Sequence, residues 1–382
     1  MAGIRELAAI SNALAQFRGT PAEPLTLRCR CRNMSEHCDP EGIELGKGRG
    51  RKAAVPWAIP PKGWIDIALR FWRGFNSDNL TLVAAGVAYY TLLALFPGIV
   101  LFVSIYGLVT DPINAAEDAR AISSVLPPLA AEFVYEEMRR VASAGTGGLS
   151  LVSLVSLLVA LFGAGRAIKS MFQALNVAYG ESEDRNLLKI NALGFVFTLG
   201  FIVAGAIVLA LVVALPAALK ALHLPLKTET LISFARWPVL FFGMVAATSL
   251  LYRIGPSRRD PQFRWVSVGA VASSILWLLV SWGISFYASN ITDFSGTYGA
   301  FGAIILLQTW LWATALVILI GAKINAEIEH QTACDSTIGP DRPIGERGAW
   351  VADELGRRFG PAASDKAPES ARLLDDGAPP TT

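Results

Sequence analysis

The sequence predicts an all-α, polytopic transmembrane helical bundle with about six spans, each needing roughly 20 mostly apolar residues to cross the hydrocarbon. Three observations predict it. The 382 residues are 53% hydrophobic and only 17% charged, where soluble domains carry about 25% charged residues. The apolar residues fall into blocks long enough to span, separated by short polar stretches. Lysine and arginine crowd into alternate stretches, and that bias sets orientation in a membrane.

In order, the spans are expected at 80–109, 149–179, 187–219, 231–252, 265–288 and 300–324. The first is long enough to tilt. The second is apolar only as far as Arg166 and continues as a more polar helix to Tyr179. Cations flank one side of the bundle: Lys62, Arg70 and Arg73 before the first span, Arg185 and Lys189 before the third, and Arg253, Arg258, Arg259 and Arg264 before the fifth. On the other side, the 110–148 stretch dilutes Arg120, Arg139 and Arg140 among acidic residues, and 289–299 holds neither lysine nor arginine. Both termini are therefore expected in the cytoplasm.

Three pieces lie outside the spans. Residues 1–61 read as a disordered basic leader without a signal-peptide core, and 331–382 as a disordered cytoplasmic tail rich in Pro, Gly, Asp and Ser. Residues 62–330 make the membrane domain. At its start, 62–75 places Trp64, Ala68, Phe71, Trp72 and Phe75 on one helical face, the pattern of an amphipathic interfacial helix. Pro127-Pro128 breaks the helical patterning of 111–143 into two short helices.

Charge and composition exclude several classes. A net charge of +2 gives no electrostatic reason for a nucleic-acid partner. The three histidines, His37, His223 and His330, are scattered, so no metal and no cofactor is expected. Cys29, Cys31, His37 and Cys38 do not have zinc-knuckle spacing, and a reducing compartment argues against a disulfide framework. The sequence carries no Walker loop, GxSxG or HExxH motif.

Polar side chains within spans are the functional candidates, because burying them in lipid is costly. Arg166, Lys169, Gln173 and Asn176, spaced three, four and three apart, share one helical face. Two readings stand for them: a basic lining for an anionic substrate, or a solvated face on a helix that has left the bilayer. Tyr89 and Tyr90 lie mid-span, with the helix-kinking Pro97 further on and Trp237-Pro238 a second break. Gln308 in the sixth span reads as an interhelical hydrogen-bonding residue, or alternatively as a substrate contact.

Four stretches carry a resemblance: LVAAGVAYYTLLALFP at 82–97, NVAY at 176–179, LYRIGP at 251–256 followed by Arg264-Trp265, and GTYGAFG at 296–302 with GAKINAE at 321–327. Together, in this order, they resemble the YihY/BrkB family of bacterial inner-membrane proteins over about 65–330. The resemblance implies a multi-pass inner-membrane location. Some members were labelled as a tRNA-processing ribonuclease, and one has been linked to passage of a lipopolysaccharide precursor. The expected role is a transporter or translocator of a lipid or small amphipathic substrate, with membrane lipids as partners and no enzymatic activity. Its groove is expected among the first, second and sixth spans. The alternative is a non-transporting structural or envelope-assembly protein.

Overall fold

The computed structural model describes residues 48–106, 151–209, 226–290 and 301–356, and three residues between 135 and 139. Eight α-helices are described, with no strand among the described residues: α1 (Pro61–Ser77), α2 (Leu80–Tyr106), α3 (Leu151–Tyr179), α4 (Leu187–Leu209), α5 (Leu226–Ile254), α6 (Phe263–Asn290), α7 (Phe301–Glu329) and the short α8 (Trp350–Asp353). A 3-10 turn, Pro56–Ala58, precedes them. Among the described residues, Phe263–Ala288 and Phe301–Glu329 are long and apolar enough to cross a membrane, and the bent pair Pro61–Ser77 with Leu80–Leu95 makes a third candidate.

Local chemistry sets the helix ends. Pro61 opens α1 with its φ already helical and no N–H to satisfy. Between α1 and α2, Asn79 turns the chain at φ +49, a left-handed conformation that asparagine tolerates better than most residues. Gly180, at φ +68, closes α3 while the Glu181 N–H reaches back to the Asn176 carbonyl. Asn186 starts α4, its Oδ1 accepting from the Leu188 N–H.

Helix α7 is the axis of the molecule and packs against α1, α2, α3, α6 and α8. Around it, Leu80, Ala84 and Val87 of α2, Phe172, Leu175 and Tyr179 of α3, Tyr252 of α5, Ala270 of α6 and Leu319 and Ala326 of α7 form the buried core. Helices α6 and α7 cross closely because Gly269 faces Gly321: a Cβ on either would run into the other's carbonyl oxygen. Asn325 locks the crossing, accepting from the Gly269 N–H at 2.7 Å and donating to the Val266 carbonyl at 3.0 Å. Helices α4 and α5 are peripheral, α4 packing on α3 and α5 on α6.

The tail differs from expectation. Instead of loosening after 330, residues 331–356 pack on the bundle, and Gln331, Thr332, Ser336, Arg347, Val351 and Ala352 are buried. The end of the leader, 48–60, folds with them. Arg51 donates to the His330 and Gly356 carbonyls, Ala333 N–H donates to the Arg51 carbonyl, and Thr332 Oγ1 donates to the Ala53 carbonyl. Composition misled here because polar segments fold when a rigid helix end offers them partners. Cys334 is buried. Residues 1–47 and 357–382, and with them Cys29, Cys31, His37 and Cys38, lie outside the described residues, as do most of the expected helices in 111–143.

Candidate functional site

Two polar regions stand out, and they are built differently. The first is a collar of charge around the C-terminal end of α7. Arg70 of α1 donates to the Glu327 carboxylate at 2.8 Å, to the Glu327 carbonyl at 2.9 Å and to Gln331 Oε1 at 2.8 Å. Lys323 Nζ lies 2.8 Å from Asp78 and 3.5 Å from Glu327, one turn along its own helix. Arg49 grips both oxygens of Asp66 at 2.6 and 2.7 Å. Arg258, from the loop between α5 and α6, meets both oxygens of Glu329 at 3.0 and 2.8 Å, with both side chains wholly buried. Its guanidinium also stacks on the Tyr179 ring at 4.2 Å.

Burial works against the Arg258 charge, yet the Glu329 carboxylate beside it holds the guanidinium above its ordinary pKa. Ser336 Oγ gives Glu329 a further hydrogen bond at 2.9 Å. Arg347 is buried too, and it donates to the Ala333, Cys334, Ala352 and Arg342 carbonyls. Burial pulls its pKa down from the usual arginine range. Each charge named here has a partner of opposite sign or a set of carbonyls, and together they clamp α1, the α5–α6 loop and the tail to α7. Arg259 of the same loop is the exception: its buried Nη1 has no hydrogen-bond partner among the described residues.

The second region is a half-open cleft of about 210 Å³ between α3 and α4, lined by Phe162, Gly165, Arg166, Lys169, Asn191, Gly194, Phe195 and Thr198. Its cations come from α3 and its amide and hydroxyl from α4. Arg166 is exposed, and its guanidinium lies 5.1 Å from the Phe162 ring centre. Among the described residues, no carboxylate forms an ion pair with Arg166 or Lys169. Phe162 and Phe195 frame the opening with exposed rings. A negative group seated here would meet two cations and the Asn191 amide, with apolar surface beside it. The buried Thr198 hydroxyl donates to the Gly194 carbonyl at 2.8 Å and has no proton to give.

The structure divides the residues that the sequence had grouped. Arg166 and Lys169 line the cleft, but Gln173, further along the same face of α3, is exposed and does not. Asn176 is a structural clamp: its Nδ2 donates to Glu183 at 3.0 Å and its Oδ1 accepts from the Ser257 N–H at 2.7 Å, tying the loop after α3 to the loop after α5. Tyr89 is exposed on α2, its ring edge-on to the half-buried Tyr90. Pro97 falls within a continuous α2, its side chain outside the described residues. Gln308 Oε1 is buried and has no hydrogen-bond partner among the described residues, so the expected interhelical bond from that atom is not formed. The cleft that Arg166 and Lys169 line lies between the second and third expected spans.

Sequence reasoning missed Asn191 and Thr198, although Asn191, Gly194, Phe195 and Thr198 follow the spacing of one helical face. It also missed the collar pairs Arg70–Glu327 and Arg258–Glu329, whose partners lie 257 and 71 residues apart.

The all-helical fold and its apolar helices define a membrane protein. The chain belongs to the family described as Virulence factor BrkB, which it matches over residues 71–344. It is similar to the putative ribonuclease-like protein YfkH of Bacillus subtilis, 27% identical over 253 residues covering 64% of this chain and 88% of that protein. It is also similar to a UPF0761 membrane protein of Pseudoalteromonas atlantica, 26% identical over 73% of this chain and 92% of the relative. A UPF0761 membrane protein of Haemophilus influenzae is 25% identical over 69% of this chain and 96% of its own length. No solved structure matches the chain.

Proposed function

We propose that this protein is a six-span bacterial inner-membrane protein, with both termini in the cytoplasm, that translocates an anionic amphipathic substrate. The span count is supported by six helices of 23 to 29 residues, about 35–44 Å at 1.5 Å per residue. The orientation is supported by the cations gathered at the collar end.

The observation that carries the function is the cleft: Arg166 and Lys169 stand beside Asn191 and Thr198 with no carboxylate partner among the described residues, next to exposed aromatic rings. Intramembrane charge is costly and marks substrate pathways. The apolar frame at Phe162 and Phe195 suits a substrate that keeps its tail in lipid while its headgroup enters. We propose no enzymatic role for this chain. The ribonuclease-like name belongs to the Bacillus relative, and chelator-sensitive RNA cleavage by the pure protein would overturn our reading.

The test is transbilayer movement in proteoliposomes. Fluorescent phosphatidylglycerol is expected to reach the outer leaflet faster than in empty vesicles and faster than labelled phosphatidylcholine. Arg166→Ala with Lys169→Ala should return it to the empty-vesicle rate. Equal rates with and without wild-type protein would favour the structural, non-transporting alternative.

A further inference from the structure

Helix α1 turns a mixed face inward and a largely apolar one outward. Asp66 and Arg70 are buried beside Gly63 and Ile67, while Trp64, Ile65, Leu69 and Trp72 are exposed. Trp57, from the 3-10 turn just before, extends the same apolar surface and is 72% exposed, with Trp72 67% exposed. The charged face is held inward by specific partners, Asp66 by Arg49 and Arg70 by Glu327 and Gln331. The outward direction of the apolar face is therefore fixed by buried ion pairs.

The charge around that surface has one sign. Within 48–77 Lys52 and Lys62 are exposed, and the one acid, Asp66, is buried; Asp78, just beyond, lies beside Lys323. The surface is also continuous with a candidate span, because α2 begins three residues after α1 ends and the two meet at a 60° bend. With α2 along the bilayer normal, that bend lays α1 within about 30° of the membrane plane, and tilts of roughly 20° are ordinary. Tryptophan at the headgroup level and cations beside it match an anionic leaflet.

We propose that the exposed face of Pro56–Ser77 is a docking surface for anionic phospholipid headgroups, with Trp57, Trp64, Ile65, Leu69 and Trp72 seated at the acyl boundary and Lys62 reading the negative charge. The surface does not depend on the α3–α4 cleft, and its test requires no transport. The occupant is lipid, not a second copy of the chain.

The experiment places photoreactive benzoylphenylalanine at position 69 of the full-length protein, in vesicles of phosphatidylcholine mixed with phosphatidylglycerol. Mass spectrometry reads the adducts after illumination. Lipid adducts are expected, with phosphatidylglycerol enriched severalfold over its share of the vesicle, since each near-surface cation is worth about fivefold in affinity for an anionic leaflet. Lys62→Gln should remove the enrichment while keeping the lipid adducts. The same probe at exposed Glu346 should give none. A cross-linked dimer, no adduct at position 69, or adducts without headgroup preference would each overturn the proposal.

Discussion

Arg258 and Arg166 are the same chemical group placed in opposite surroundings. Arg258 is wholly buried against an equally buried Glu329, bidentate, with its guanidinium over the Tyr179 ring and Ser336 donating to the Glu329 carboxylate. Arg166 is exposed, touches an aromatic ring, and borders an open cleft with Lys169. Where opposite charges are buried together, both have lost their hydration and depend on each other, so the pair holds structure. Where cations gather without an acid, their attraction is left for something that arrives. Charge inside a membrane protein is thus read by its partners rather than by its presence.

The largest effect expected is at the collar. Arg258→Ala leaves Glu329 buried and unpaired, a change worth about 3–5 kcal/mol, and should lower the unfolding midpoint of the detergent-solubilised protein sharply. An unchanged midpoint would break the contrast. Arg347→Ala comes next. It strips donors from the Ala333, Ala352, Cys334 and Arg342 carbonyls, at about 1–3 kcal/mol for buried groups left unsatisfied. Limited proteolysis should then cut within 331–356 where the native protein resists.

Asn176→Ala sharpens the comparison from within α3, since it shares a helical face with Arg166 but belongs to the clamp. Losing its bonds to Glu183 and the Ser257 N–H should cost about 1 kcal/mol and leave the proposed lipid movement unaffected at temperatures where the protein stays folded. The smallest effect is one of pH. The hydrogen bonds from Arg185 hold the Glu183 carboxyl below the usual glutamate range. Its contribution to stability is therefore complete above its unfolded pKa, about 4.3, and is lost as pH falls through the lower folded value. Melting curves of Glu183→Gln should be flatter with pH than those of wild type across that acidic window, and should differ least near the bottom of it.

Much of the fold was legible because long apolar blocks bounded by polar stretches read as single helices. The six apolar blocks coincide with α2 to α7, and the change of character at Arg166 corresponds to a single helix, α3, as expected. The tail was misread for a physical reason. Its Pro, Gly and Asp content lacks the apolar periodicity that announces packing, and its anchors, Arg347 and Gln331, work through backbone carbonyls and single side chains. The site was half legible. Periodicity put Arg166, Lys169, Gln173 and Asn176 on one face, but the neighbour each residue meets depends on how α4 and the α5–α6 loop pack against that face. Gln173 and Asn176 therefore separated from the cleft. Pairing between distant segments, such as Arg70 with Glu327, leaves no local trace at all.

The central claim is that collar charges hold the fold while cleft charges hold a ligand. The most direct measurement is the shift in unfolding midpoint when phosphatidylglycerol is added to purified wild type and to Arg166→Ala/Lys169→Ala. Binding to the folded state alone raises the midpoint. The account predicts a rise in wild type, no rise in the double variant, and lipid-free midpoints that agree within the small change expected of exposed residues, about 0.5 kcal/mol. A double variant that melts early like Arg258→Ala, or that keeps the full lipid-induced rise, would contradict it.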